Sequence, residues 1–361
     1  MPVQPSTVLS ILALAVARPV ATELVFEPEE GTALARTFVF DTTAALDELA
    51  VEVDGEDLSA MLGEFSFEVE GVQTYQARDE FVSVEDGRVV ELHRTYEKLA
   101  GESETMVDAA MASETTDSTV SSELEGETVV FTWDPDAEEY DKASGDGSDV
   151  DEDLLQGLSM SMDLSGFLPD EPVEEGDSWE IGVMNLAALY MPGGNLGLLP
   201  DEMPDVEGFD MDAMTEMMSK YQTWAMDQLE DWVDGSATAT FSGVQEVDGV
   251  RVAVIDIEMD MAFEADFTDV MEEILSEVLS QMDIPMDIDV TISSVVFDLD
   301  TEGEGKLMWS IEGKHGHSLD LAVDYDFDMS FEMSFDAAGE SHDIAADIAG
   351  SGTYEADVDV E

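Results

Sequence analysis

Residues Leu319 to Phe335 read Leu-Asp-Leu-Ala-Val-Asp-Tyr-Asp-Phe-Asp-Met-Ser-Phe-Glu-Met-Ser-Phe. Every odd position, from Leu319, Leu321 and Val323 through Tyr325, Phe327, Met329, Phe331 and Met333 to Phe335, is apolar, and nearly every even one is Asp, Glu or Ser. Side chains alternate between faces along a strand, so this run is a β-strand with one apolar face and one carboxylate face. At about 3.4 Å per residue it reaches roughly 55 Å, well beyond a usual strand of about five or six residues, and a strand of that length has to twist or curve.

The alternation extends outward from this run. Met286, Ile288, Val290 and Ile292 share one parity and Val295, Phe297 and Leu299 the other, which predicts a bulge at Ser293-Ser294. Lys306 to Glu312 and His342 to Val358 complete an antiparallel meander around the central run. Upstream, Ser236 to Val247 and Val250 to Ala265 form a hairpin across Asp248-Gly249, with Ala253, Ile255, Ile257, Met259, Met261 and Phe263 on one side of the second strand. Asp86-Gly87 marks another hairpin turn, between Glu64 to Val84 and Val89 to Leu99. Arg94, Tyr96 and Lys98 share a face there; ion pairing with neighbouring Asp and Glu is their expected role, and an anion-binding patch is the alternative.

Two segments carry a helical period instead. Met211, Met214, Met218, Tyr221, Ala225, Leu229 and Trp232 line one face of a helix over Asp210 to Val233. Phe267, Val270, Met271, Ile274, Leu275, Val278, Leu279 and Met282 do the same over 267–282, with Asp269 and Glu272 as a capping-box-like start. An antiparallel sheet with one solvated face must cover the other. The expected fold is therefore mainly β with helices (α+β): a large, curved, half-barrel-like antiparallel meander covered by two amphipathic helices. By architecture alone, it is similar in kind to the half-barrel lipoprotein carriers of the bacterial envelope.

Residues 1–21 are expected to be a signal peptide, from the apolar run Val8 to Ala17 and the small-x-small site Ala15-Val16-Ala17. The alternative is a buried N-terminal strand. Residues 22–361 then form a single β-rich domain: strands over 22–145, a turn- and helix-containing connector over 146–233, and the C-terminal meander over 234–361. No stretch of the mature chain is apolar for long enough to span a bilayer as a helix. The chain has no cysteine, which excludes disulfides, thiolate metal sites and a cysteine nucleophile, and leaves no residue for a bacterial lipid anchor. A soluble exported protein, periplasmic or extracellular, is the expectation.

Eleven Lys and Arg stand against 88 Asp and Glu, a formal net charge of -77. Such a chain repels nucleic acid and anionic lipid head groups and attracts cations. Hydrophobic residues at 44% in regular alternation argue for a folded protein rather than an acidic disordered one. The charge then has to occupy outer faces, where repulsion opposes the compact state unless salt screens it.

Catalytic motifs are absent: no Gly-x-Ser-x-Gly, His-Glu-x-x-His, phosphate loop or Gly-x-Gly-x-x-Gly occurs. The expectation is a protein that is not an enzyme and needs no cofactor. Methionine adapts to varied apolar partners. Met259, Met261, Phe263, Met271, Met282, Phe327, Met329, Phe331 and Met333 are thus the candidates to hold an apolar small molecule or protein segment between sheet and helices. Core filling is the plain alternative. His315 and His317 flank one residue and point the same way on a strand, a candidate metal pair. Asp149, Asp151 and Asp153 imitate the first ligands of a calcium loop, but Leu154 sits where its turn glycine belongs and Met160 where its bidentate Glu belongs. Loose calcium binding or a solvated acidic loop are what is left. The alternative function is a structural or cation-buffering acidic envelope protein.

Phe131-Thr132-Trp133-Asp134, then Leu168-Pro169-Asp170-Glu171-Pro172-Val173-Glu174-Glu175-Gly176-Asp177-Ser178-Trp179 and Pro192-Gly193-Gly194, resemble a group of uncharacterised exported bacterial β-rich proteins. The resemblance covers roughly the middle third of the chain and, more loosely, the final hairpins, and implies a turn with a core tryptophan. It carries no activity.

Overall fold

A computed structural model describes residues 21–59, 65–109, 112–201, 232–281, 288–337 and 340–361, with Trp224, Gln228 and Leu229. The expected signal peptide, except Ala21, most of the expected helix over Asp210 to Val233, and Met282 lie outside the described residues.

The central run is strand from His315 to Ala337, 23 residues long. In chain order the strands are β1 (Ala33–Val53), β2 (Glu56–Asp57), β3 (Ser66–Glu85), β4 (Arg88–Ala109), β5 (Ala112–Ser121), β6 (Thr128–Asp134), β7 (Glu139–Ser144), β8 (Ser178–Ile181), β9 (Leu199–Pro200), β10 (Val233–Val247), β11 (Val250–Asp266), β12 (Ile288–Ser310), β13 (His315–Ala337) and β14 (Glu340–Val360). They form one antiparallel sheet with spatial order β7-β6-β4-β3-β1-β14-β13-β12-β11-β10-β8; β2, β5 and β9 lie off this path. Among the described residues the path stays open, with β7 and β8 at its ends.

Turn chemistry sets the hairpin registers. Asp86 and Gly87, and again Asp248 and Gly249, all have positive φ, as a two-residue type I′ turn requires. The register of β12 against β13 shifts between Ile292 and Ser294, the bulge that the change of parity predicts. Ser103 to Ser122 is a hairpin, the end of β4 pairing with β5.

Along its length the apolar face divides in two. The proximal half carries Phe38 and Phe40 of β1, Leu92 and Leu99 of β4, Ile255 and Ile257 of β11, Leu319 and Leu321 of β13 and Val358 of β14, all fully buried. Its cover is largely irregular chain. Leu158, Met162, Leu164, Phe167, Leu186 and Leu189 from the connector join the same core, and so does Leu24 of the N-terminal segment. That segment bonds across the hairpin ends: Glu27 donates its N–H to the Lys314 carbonyl, and the Trp309 indole donates to the Val25 carbonyl at 3.3 Å. Short helices α1 (Glu152–Gly157) and α2 (Val183–Tyr190) belong to the connector. Trp179, the anchor expected from the Gly176-Asp177-Ser178-Trp179 turn, donates its indole N–H to the Phe167 carbonyl at 3.0 Å.

The distal half is covered differently. The helix expected over 267–282 is present as α3 (Thr268–Gln281). Its start is capped by Asp266, whose carboxylate accepts from the Thr268 N–H, and not by the Asp269 and Glu272 pair. Of the other expected helix, Trp224, Gln228, Leu229 and Trp232 are helical, while Val233 already belongs to β10. The expected helical cover is thus found in part: α3 packs on β12, and connector residues fill the proximal half.

Candidate functional site

Seven of the nine apolar candidates lie on one face of the sheet. Met259, Met261 and Phe263 project from β11, and Phe327, Met329, Phe331 and Met333 from β13, with β12 between them. Met259 is buried at the boundary with the proximal half, and the other six are half-buried. Met271 is half-buried on α3, and Met282 lies outside the described residues.

Aromatic rings organise this face. Phe327 stacks on Phe297 with centroids 6.3 Å apart, Phe297 meets Phe263 edge-on at 5.9 Å, and Phe263 meets Trp232 at 5.5 Å. Trp232 then contacts Phe267 at 5.3 Å and Trp224 at 5.1 Å, both edge-on. The row runs from the middle of the sheet to the start of α3. Sequence periodicity identifies each ring as inward but not their succession across three strands, because cross-strand register is set by turns and bulges.

Two glycines let the rings lie low on the sheet. Gly352 of β14 sits opposite Tyr325, and Gly350 opposite Phe327. A Cβ at either position would come within 2.5 Å of the facing ring. With no side chain in the way, Tyr325 reaches across β14 and donates its hydroxyl to the Thr43 carbonyl of β1 at 2.7 Å.

Further up the same face four aromatic side chains meet. Phe40 packs on Tyr75 edge-on at 5.4 Å and stacks with Tyr354 at 5.7 Å. Tyr190, at the end of α2, lies 4.5 Å from Tyr354. Burial pushes the Tyr75 and Tyr190 phenols up to about 12 and that of Tyr354 higher still, so all three stay protonated at physiological pH.

A buried ionic group stands at the proximal end. Arg94 of β4 donates to both carboxylate oxygens of Asp79 on β3, at 2.7 and 2.9 Å, and Arg36 of β1 bonds the same carboxylate. Arg94 also donates to the Ser159 carbonyl at 3.1 Å and the Met160 carbonyl at 2.9 Å, tying the connector to the sheet. Its guanidinium lies 5.4 Å from the Phe131 ring centroid and is 1% exposed, so the expected ion pairing takes the form of a buried network. Burial alone would raise the Asp79 pKa, but the Arg94 and Arg36 charges outweigh it and hold the carboxyl below its ordinary value. Charged residues at apolar parity, Arg36 beside Phe38 and Asp79 beside Phe81, were the signal available in the sequence.

The metal candidates are dispersed. His315 is half-buried and bonds through Nδ1 to the Gly316 carbonyl at 2.6 Å; burial lowers its pKa, and the nearby Arg36 and His317 charges add to this. Asp151 caps α1, accepting from the Asp153 N–H at 2.9 Å, and the Asp149 N–H donates to Glu127. Among the described residues no group of three or more His, Asp or Glu is arranged to hold a metal ion.

The outer face is a set of acidic cross-strand rows. Asp260, Glu302 and Asp324 lie directly opposite one another on β11, β12 and β13, as do Glu264, Asp298 and Asp328. Lys306 answers one such row through Asp256, 3.6 Å away. Asp357 is raised by burial and then by Asp320, Asp359 and Asp41.

No protein-family model matches the chain, and no curated protein matches it. Among solved structures it is similar to the COG4313 outer membrane channel from Pseudomonas putida F1, with 7% identity over 93% of this chain and 98% of that one, at a TM-score of 0.21. It is also similar to a DUF1329 family protein from Desulfovibrio piger ATCC 29098, with 8% identity over 86% of this chain and 83% of that one, at a TM-score of 0.10. Among the described residues no helix is long and apolar enough to cross a membrane.

Proposed function

We propose that this chain is a non-catalytic exported protein that holds an apolar ligand against the distal half of its sheet, beside α3. The observation that carries the reading is the ring row Phe327, Phe297, Phe263 and Trp232, half-buried where the matching proximal face is sealed by the connector. A row of rings with methionines beside it offers a broad, adaptable apolar surface. The export part rests on the run Val8 to Ala17.

The test is titration of the purified chain with a fluorescent acyl-chain probe, read also through quenching of Trp232 and Trp224. Saturable binding is expected, weakened about tenfold or more by Phe297→Asp, a change that places a charge in the row. Binding that never saturates, or that Phe297→Asp leaves intact while circular dichroism shows a folded variant, would sink the proposal.

A further inference from the structure

One hydroxyl on this face is left without a partner among the described residues. The Tyr354 hydroxyl is out of contact with solvent and has no hydrogen-bond partner among the described residues. Its neighbours differ: Tyr325 donates to the Thr43 carbonyl, and Tyr75 to the Gln73 side chain. A buried donor left unpaired lowers stability, and native structures keep few of them. Tyr96 is the only comparable group among the described residues, and it is sealed in the core beside Arg94. Tyr354 packs against Tyr190, which is itself 41% exposed at the edge of the connector.

The position of this hydroxyl relates it to the ring row. Tyr354, Gly352 and Gly350 follow one another on the same face of β14, and the rings of Tyr325 and Phe327 lie against the two glycines. An apolar chain resting on Phe263, Phe297 and Phe327 and continuing over Tyr325 ends at Tyr354. The acceptor it brings there is selected by charge. The described distal part of the apolar face and α3 carry no Lys or Arg, and the buried Arg36 and Arg94 are committed to Asp79. A carboxylate head would enter a chain of formal net charge -77 with no cation among the described residues of that face to meet it, and would lose its hydration as well. A neutral carbonyl has no such cost.

Resting on the proposed apolar site, we infer that Tyr354 is its polar anchor and that the ligand is a neutral acyl ester or amide. Its carbonyl oxygen accepts from the Tyr354 hydroxyl, and its chain lies along Tyr325, Phe327, Phe297 and Phe263. Tyr190 moves aside to admit it.

The experiment is competition of monoolein and of oleate, which share one chain, against the fluorescent probe at mildly alkaline pH, below their aggregation concentrations. Wild type and Tyr354→Phe are compared. Wild type is expected to bind monoolein at least about tenfold more tightly than oleate, and Tyr354→Phe to weaken monoolein several-fold while leaving oleate unchanged, so that the preference narrows to the part that charge alone sets. The ligand-free variant is expected to melt at or above the wild-type temperature, since it loses an unpaired hydroxyl and little packing. A lower melting temperature would show that the hydroxyl already has a partner in the free protein and would overturn the inference. Equal affinity for the two lipids, or a monoolein affinity that Tyr354→Phe leaves unchanged, overturns the anchor while leaving the apolar site standing. Failure of both lipids to displace the probe overturns the anchor, and failure of the probe itself to bind overturns the site.

Discussion

Asp79 is flanked by two guanidinium groups and screened from water by the sheet, so removing its carboxylate leaves two cations in the core. Breaking such a network from one side costs about 3–5 kcal/mol. Asp79→Ala is expected to lower the urea midpoint accordingly, whereas replacing an outer-face carboxylate such as Asp328 leaves it near or above the wild-type value. Equal effects of the two would contradict the burial argument. These three charges show where residue-level reading of the sequence stops. Arg36 shares the parity of Phe38 and Phe40, a signal that it faces inward, but its partner is 43 positions away and on another strand. Nothing local in the sequence announces that pairing. The Tyr354 hydroxyl was equally illegible, since an unmade bond leaves no pattern.

At the scale of the element, the central strand was readable because its period holds from Leu319 to Phe335. The bulge near Ser293 was readable too, as a change of parity. The cap of α3 was misread: Asp266 and Asp269 are both acidic residues near the start, and only the backbone geometry decides which one accepts from the first turn. The strands also stack like charges, and Glu302 sits between Asp260 and Asp324. Opposite charges directly across a ladder contribute about 0.2–1 kcal/mol each, and like charges cost similar amounts. Glu302→Lys is therefore expected to raise stability at low salt by about 1–2 kcal/mol, summed over two strand neighbours, with the gain shrinking as salt is added. Chemical denaturation at low and high sodium chloride checks this, and a gain that salt does not diminish would point to packing instead.

For the whole molecule, the same rows make stability depend on ionic strength. Melting temperature is expected to rise with sodium chloride, and calcium chloride at matched ionic strength to add little beyond screening; a large calcium-specific rise would reveal a discrete site. Acid has two opposed effects. The Asp357 pKa is raised, so its contribution is full below the ordinary Asp value and lost as pH climbs through its folded one. The Asp79 pKa is lowered, so its contribution is full above the ordinary value and lost as pH falls through its folded one. Melting temperature measured from about pH 8 down to about pH 3 should pass through a mildly acidic maximum before falling. The large-scale reading of the sequence found the sheet and missed how it is sealed, because connector loops with no period, such as Leu158 to Leu168, leave no signal of what they cover. One pairing has a consequence in time rather than in space. β1 lies against β14, with Arg36 opposite Val360, whereas β3 with β4 and β10 with β11 are local hairpins, and β12, β13 and β14 follow one another in a meander. The two wings can each form early, but the seam between them closes a loop of nearly the whole chain, which makes it the slow step of folding. Until it closes, β14 presents some twenty residues of open edge, and that interval is when this protein is most exposed to aggregation.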